Sequence, residues 1–208
     1  MKARPAVVVL AAGRGSRFSA SSHKLTQRLG HSSVLGSTLR NAIASHLPVV
    51  VVTTHALADV ARRHVASRDV VLLPTVGTPV PEPLGMGYSI ATGVAARPDA
   101  PGWLVLPGDM PMVQTSTLLA IARALEHHPV AYAQHNGRRG HPVGFSAELY
   151  SELVTLSGDE GARRLVARYP AHGVVVDDPG VLIDVDTQAD LDRLRSMQQA
   201  AAAVPAPR

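Results

Sequence analysis

Short runs of β-branched and aliphatic residues recur along this chain, and segments with helical spacing separate them. Runs such as VVVL from Val7 and VVVV from Val49 lack polar alternation, which is typical of strands buried on both faces of a parallel sheet. The alternation of such strands with helices predicts an α/β fold. Because aromatic residues make up only 3% of the chain, its core must be built from Val, Leu and Ala.

With 208 residues the chain is long enough for one sizeable core. We expect a single domain over residues 1–199, followed by a disordered tail over residues 200–208. The predicted strands are Ala6–Leu10, Val49–Thr53, Val70–Leu73, Trp103–Leu106, Val130–Gln134, Pro142–Phe145, Gly173–Val176 and Val181–Val185. The predicted helices are Val34–His46, Leu57–Ala66, Tyr88–Ala96, Thr115–His127, Ala147–Leu153, Glu160–Arg168 and Gln188–Gln199.

Composition narrows the range of partners and compartments. A net charge of +4 suits anionic small molecules, whereas scattered basic residues with few aromatics argue against nucleic-acid binding. The chain has no cysteine, so thiolate catalysis and Cys-ligated metals are excluded. No apolar run reaches the roughly 18 residues of a membrane span, and the first residues lack the pattern of a signal peptide. We therefore expect a cytoplasmic protein with no membrane contact.

The segment after the first predicted strand has the residue types of a polyphosphate site. Small residues let backbone N–H groups approach an anion closely, and basic residues at both ends can hold phosphates. Two common glycine-loop signatures do not fit, because Phe18 replaces the third glycine of a dinucleotide fingerprint and no Gly-Lys-Ser/Thr tripeptide occurs. The residues of this segment are Leu10, Ala11, Ala12, Gly13, Gly15, Arg17 and Lys24.

Carboxylates stand where a predicted strand ends and where a helix begins. Asp109 follows the strand Trp103–Leu106, where a carboxylate needs solvation, a capping role or a cation. Asp184 and Asp186 alternate, so in a strand both would point to one face, while Asp186 or Thr187 is also suited to cap the next helix. Residue chemistry alone leaves capping and Mg²⁺ binding open at both places.

Two further segments have both a ligand-binding and a purely structural interpretation. In PLGMGYS, Gly85, Gly87 and Ser89 open a helix, where free N–H groups bind an anion or a base edge, or where the helix begins without any ligand. After a turn at Asn136-Gly137, Arg139 and His141 either face a phosphorylated acceptor or form a solvated hairpin tip.

Taken together, these segments resemble one family. The pattern L-A-A-G-x-G-x-R followed by Lys resembles the nucleotidyltransferases with a GT-A-like fold, and the two alanines resemble the molybdenum cofactor cytidylyltransferase branch. The D-M-P after the fourth strand, G-M-x-x-S-I, R-G-H-P-V and G-D-x-G-A-R are similar to segments of that branch. The chain departs from the pattern at His23 and Gln188, where relatives often have proline.

The resemblance implies a three-layer Rossmann-like (GT-A-like) nucleotidyltransferase with a mostly parallel sheet and a small hairpin insertion. It implies that CMP from CTP passes to a phosphorylated acceptor, most simply molybdopterin, and that pyrophosphate is released. The alternatives are a sugar-1-phosphate nucleotidyltransferase and a non-catalytic carrier of nucleotide or cofactor. A labile product further implies a receiving molybdoenzyme or a chaperone as partner.

The same resemblance assigns roles to residues. It implies that Arg17 and Lys24 are catalytic, that Arg139 and His141 bind the acceptor, and that Asp109 and Asp186 hold Mg²⁺, with Asp184 as the weaker candidate for the second ligand. The residues that it assigns to the nucleotide are Leu10, Ala11, Ala12, Gly13, Gly15, Arg17, Lys24, Gly85, Gly87 and Ser89.

Overall fold

A computed structural model describes residues 3–13, 18, 23–74 and 85–203 of the chain. Its strands are β1 Ala6–Ala11, β2 Arg28–Leu29, β3 Ser32–Ser33, β4 Val49–Thr53, β5 Val70–Leu72, β6 Gly102–Pro107, β7 Val130–His135, β8 Arg138–Ser146 and β9 Ala171–Val175. Its helices are α1 Val34–Ala44, α2 Ala58–Arg62, α3 Met86–Ala95, α4 Thr115–Ala124, α5 Tyr150–Leu153, α6 Arg163–Arg168 and α7 Gln188–Ala203.

Seven of these strands form one sheet in the order β5-β4-β1-β6-β8-β7-β9, and β2 pairs with β3 in a separate hairpin. Only β8 runs antiparallel to its neighbours in the seven-stranded sheet. After β1 the chain adds β4 and β5 on one side and then returns to place β6 on the other. Such a reversal of strand order opens a crevice at the carboxyl ends of the strands. The predicted mostly parallel α/β fold is confirmed.

Helices cover both faces of the sheet. Val7 and Val9 of β1 pack in one core with side chains of α1, α4 and α7, while Val8 packs in a second core with α3. Apart from buried aromatics such as Trp103 and Phe145, these cores are mainly aliphatic, as the composition predicts. Alternate residues of a strand thus bury apolar surface on opposite faces, which gives three layers.

The predicted strand Val181–Val185 is wrong. Residues Pro179–Leu182 form a 3-10 turn, because the buried Asp178 caps it by accepting a hydrogen bond from the Gly180 N–H at 2.9 Å. The other Asp178 carboxylate oxygen accepts from the Gln114 N–H at 2.8 Å and the Thr117 hydroxyl at 2.6 Å, which fastens the turn to the start of α4.

Several helix boundaries also differ from the prediction. Helix α7 begins at Gln188 as predicted but continues to Ala203, whereas α6 begins only at Arg163 and α2 already ends at Arg62. None of the helices in the described ranges has the length and apolar character needed to cross a membrane.

Candidate functional site

Asp109 lies two residues after β6, at the carboxyl end of the sheet where the strand order switches. Directly after β6, the Gly108 N–H donates to the Leu10 carbonyl of β1 at 2.8 Å, and the Thr38 hydroxyl donates to the Gly108 carbonyl at 2.9 Å. A Cβ atom at Gly108 would lie 2.9 Å from that Leu10 oxygen, so the close approach requires glycine. This packing fixes the backbone from which the Asp109 side chain extends.

A backbone contact brings the second carboxylate to the same place. The Val185 N–H donates to the Asp109 carbonyl at 2.9 Å, which joins the segment before α7 to the end of β6. Asp186, the next residue, therefore lies beside Asp109 although 77 positions separate the two in the sequence. Residues Asp184–Asp186 belong neither to the sheet nor to a helix.

Lys24 completes a three-residue charge cluster. Its Nζ lies 2.6 Å from Asp109 Oδ2 and 2.8 Å from Asp186 Oδ1, and the side chains are only 11%, 18% and 21% exposed, respectively. Burial acts to lower the pKa of Lys24, but the charges and hydrogen bonds of the two aspartates outweigh burial and raise that pKa above 10.5. Lys24 therefore carries a full positive charge at neutral pH.

His23 joins the two ends of the glycine loop, a role that the sequence analysis did not predict. Its Nδ1 accepts a hydrogen bond from the Leu25 N–H at 3.2 Å, so Nε2 is the protonated nitrogen and donates to the Gly13 carbonyl at 2.8 Å. The imidazole thus fixes the position of Gly13 relative to Lys24. Proline, which relatives often have here, lacks any side-chain donor.

The carboxylates have the chemistry of a divalent cation site. Asp109 Oδ1 is buried and accepts no hydrogen bond from the described residues, so a buried oxygen at the crevice lacks a donor. Mg²⁺ commonly takes one or two carboxylates and completes its shell with phosphate oxygens and water. In the described ranges no group of three or more His, Asp or Glu converges on one point. The assignment of Asp109 and Asp186 as metal ligands stays a prediction.

Asp184 lies near the cluster without taking its central position. Burial raises the pKa of Asp184, and the negative charges of Asp186 and Asp109 raise it further. Lys24 pairs with Asp186 rather than with Asp184. The contacts of Lys24 therefore favour Asp186 over Asp184 as the second carboxylate of the cluster.

The capping alternative for Asp186 is resolved by two neighbouring residues. The Asp190 carboxylate accepts from the Thr187 N–H and the Thr187 hydroxyl, both at 2.7 Å, while the Thr187 oxygen accepts from the Asp190 N–H at 3.2 Å. This reciprocal pair is a capping box at the start of α7. Since Thr187 and Asp190 cap the helix, the Asp186 side chain is directed to Lys24 instead.

Replacement of Asp190 by alanine should cost about 1 kcal/mol of unfolding free energy at neutral pH, because the helix loses its cap. Hydrogen bonds from Thr187 hold the Asp190 pKa below 3.8. The contribution of the Asp190 carboxylate to the unfolding free energy is therefore complete above pH 3.8. It disappears as the pH falls through the lower pKa that Asp190 has in the folded state. In thermal unfolding at pH 7, the Tm of Asp190→Ala should be about 2–4 °C below that of the wild type. This difference should become smaller towards pH 2.

Asp192→Ala is the matched control, since Asp192 lies on the same helix and its ion pair with Arg195 is well exposed. It should change stability by less than about 0.5 kcal/mol. Equal losses in Asp190→Ala and Asp192→Ala would contradict the capping box.

Gly85, Gly87 and Ser89 at the start of α3 make internal contacts. A Cβ atom at Gly85 would lie 2.1 Å from the Gly158 backbone, and one at Gly87 would lie 2.5 Å from the Ser157 carbonyl. The Gly87 N–H donates to the Gly158 carbonyl at 2.8 Å, and the buried Ser89 hydroxyl donates to the Gly85 carbonyl at 3.4 Å. Close backbone packing explains both glycines, and a role of these residues in nucleotide binding stays a prediction.

The predicted acceptor side lies on β8. The guanidinium of Arg139 stacks over the ring of Tyr132 at 4.4 Å, a contact that the sequence analysis did not predict. His141 Nδ1 is buried without a partner among the described residues. Burial lowers the pKa of His141, and although the nearby Asp109 acts in the opposite direction, the imidazole is neutral at pH 7.

The structure accounts for part of the predicted nucleotide loop. Ala11 is buried at the end of β1 and its carbonyl accepts from the Thr53 hydroxyl at 3.1 Å, while Ala12 is half-buried and Gly13 is exposed. Gly15 and Arg17 lie outside the described residues, as do residues 75–84, which precede α3.

Known proteins resemble this chain in sequence and in fold. The sequence profile of the family described as the MobA-like NTP transferase domain matches residues 7–174. An alignment of 208 residues with the purine catabolism protein PucB of Bacillus subtilis (strain 168) has 30% identity and covers 90% of this chain and 94% of that protein. The bifunctional protein GlmU of Polaromonas naphthalenivorans (strain CJ2) is 37% identical over 120 residues, which cover 55% of this chain but only 25% of GlmU.

A solved structure extends the similarity to most of the fold. The manganese complex of Rv0371c from Mycobacterium tuberculosis H37Rv has a TM-score of 0.76 to this chain at 28% identity, and the match covers 94% of this chain and 100% of that one.

Proposed function

The chain belongs to the MobA-like NTP transferase family, and we propose that within it this protein transfers CMP from CTP to a molybdopterin-type phosphorylated acceptor. In this reaction an acceptor phosphate oxygen forms a bond to the α-phosphorus of the nucleotide. The bond from the α-phosphorus to its bridging oxygen breaks, and pyrophosphate leaves with that electron pair. The family match supports nucleotidyl transfer, while the base and the acceptor rest on the resemblance of the sequence segments.

One observation carries the proposal: Lys24, Asp109 and Asp186 meet at the carboxyl ends of β1 and β6. Three chain segments contribute the three charges, and each segment has its own backbone support. Charged side chains seldom converge at a partly buried position, because burial removes part of the hydration of each charge. A partly buried cluster of this kind, in a ligand-binding crevice of an α/β sheet, is typical of a site that handles charged substrates.

The protein's contribution to such a transfer is mainly positioning and charge neutralisation. Lys24 would place its positive charge against the α-phosphate and the leaving pyrophosphate, and Arg17 is proposed to act beside it. No general base is required, because the attacking phosphate is already an anion at neutral pH. Asp109 and Asp186 would hold Mg²⁺, which when bound neutralises the phosphates and draws them together.

The acceptor is proposed to lie along β8. Arg139 would bind the acceptor phosphate, and its stacking on Tyr132 restricts the guanidinium to few orientations. His141 would contribute a neutral hydrogen-bonding group next to Asp109 without adding charge to the metal site. We propose that the product passes to a molybdoenzyme or a chaperone in the cytoplasm. Neither nucleic acid nor a membrane takes part in this chemistry.

Pyrophosphate release tests the proposal. Each of the four NTPs is supplied with Mg²⁺, with molybdopterin, a sugar 1-phosphate or no acceptor. Release that is selective for CTP and proportional to molybdopterin is the expected result. Selectivity for another NTP would change the substrate, turnover with the sugar 1-phosphate would favour that alternative, and nucleotide binding without pyrophosphate would leave a carrier.

A further inference from the structure

We propose that Lys24 occupies the divalent-cation position between Asp109 and Asp186, so that a metal enters this site together with the nucleotide and not by itself. The inference rests on the proposed function, because it concerns the same carboxylates. It adds a property that the reaction alone does not require: the protein discriminates between the free metal and the metal–nucleotide complex.

The first support is the geometry around the ammonium group. Lys24 Nζ lies 2.6 and 2.8 Å from one oxygen of each carboxylate, so the ammonium contacts both groups that would hold a divalent cation. Lys24 is also one of only two lysines among 20 basic residues, so arginine is the ordinary cation of this chain. Lysine differs from arginine because its charge is compact and more similar to a metal ion.

The second support is the balance of charge. Lys24 offsets one of the two negative charges of the carboxylates that it contacts in this partly buried cluster. A divalent cation added to that cluster would lie within a few ångströms of the ammonium, and the two cations would compete for the same oxygens. Without a new anionic partner, displacement of Lys24, whose side chain is only 11% exposed, would remove both ion pairs of its ammonium.

A nucleoside triphosphate removes both obstacles. Its phosphates give Lys24 a new anionic partner and supply further oxygen ligands to the metal. Asp109 Oδ1, which is buried and without a donor among the described residues, is an additional oxygen that a metal can use and the ammonium does not. Metal binding and nucleotide binding therefore favour each other, which is a coupling between two ligands of one site.

The test measures Mn²⁺ binding in the absence of nucleotide. Free Mn²⁺ is followed by electron paramagnetic resonance with the wild-type protein and with Lys24→Met, which keeps the length of the side chain and removes its charge. We expect Lys24→Met to bind Mn²⁺ about 10-fold or more tightly than the wild type. Its Tm should also rise more than that of the wild type when Mn²⁺ is added.

Two variants accompany this measurement. Arg164→Met removes one positive charge from an exposed ion pair on α6 and should bind Mn²⁺ as the wild type does. Lys24→Gln, measured in parallel, should match Lys24→Met, so that the result does not depend on the folding of a single variant.

The outcomes separate the two proposals. If Lys24→Met binds Mn²⁺ no more tightly than the wild type, while Asp109→Asn abolishes binding, the metal site stands and the role of Lys24 is overturned. If Asp109→Asn leaves Mn²⁺ binding unchanged in every background, the carboxylate pair is not the metal site, and the metal assignment of the proposed function is overturned as well.

Discussion

Asp109→Asn is expected to lower the rate of nucleotidyl transfer by about 10²–10³-fold while the protein stays folded. The amide keeps the shape of the carboxylate but removes one of the two charges that bind Lys24. One carboxylate oxygen also becomes an NH2 group, which cannot accept from Lys24 or bind a cation, so the side chain no longer offers two oxygens at the site. The backbone of this segment should remain in place, since Gly108 and Val185 fix it through main-chain hydrogen bonds. Pyrophosphate release gives the rate, and circular dichroism checks the fold.

Asp184→Asn is the matched control for this prediction. Asp184 is a neighbouring carboxylate, but it lies outside the ion pairs of Lys24. We expect Asp184→Asn to lose less than about tenfold and Asp186→Asn to lose as much as Asp109→Asn. The reverse order for Asp184 and Asp186 would move the second ligand position to Asp184, and a wild-type rate for Asp109→Asn would contradict the active-site assignment.

The strands at the centre of the sheet could be predicted because local sequence determines them. Val7–Leu10 and Val49–Val52 are uninterrupted aliphatic runs, which suit a strand that is covered on both faces. The turn at Pro179–Leu182 could not be predicted in this way. Its capping residue Asp178 is held by groups more than 60 positions away, so the apolar run after it looks like a strand when read locally.

The candidate site, too, could be predicted only in part from the sequence. Residue type and resemblance identified Lys24, Asp109 and Asp186, and the structure brings these three together. The sequence did not predict that Lys24 lies between the carboxylates, because a contact across 162 positions depends on how β6 and the segment before α7 meet. His23 and Tyr132 were missed for a similar reason, since their partners Gly13 and Arg139 are defined only by the folded chain.

Gly140→Ala should lower the stability of the protein more than most other substitutions that add a single methyl group. Gly140 lies on β8 against the Pro179–Leu182 turn, and an added Cβ would lie 2.2 Å from the Val181 carbonyl oxygen. Either β8 or the turn must move, which we expect to cost about 2–3 kcal/mol of unfolding free energy. For a chain of 208 residues, that corresponds to a fall in Tm of about 5–10 °C.

Activity should fall together with stability, because the displaced turn leads directly to Asp186. Gly137→Asn, in the same hairpin, is the control: its backbone has φ +74°, no atom lies within 4 Å of an added Cβ, and asparagine tolerates this conformation. It should change stability by less than about 1 kcal/mol and leave turnover unchanged. If Gly140→Ala loses stability but keeps the wild-type rate at a temperature where it is folded, the turn moves without displacing Asp186, and the Val185–Asp109 backbone hydrogen bond alone is enough to hold the two carboxylates together.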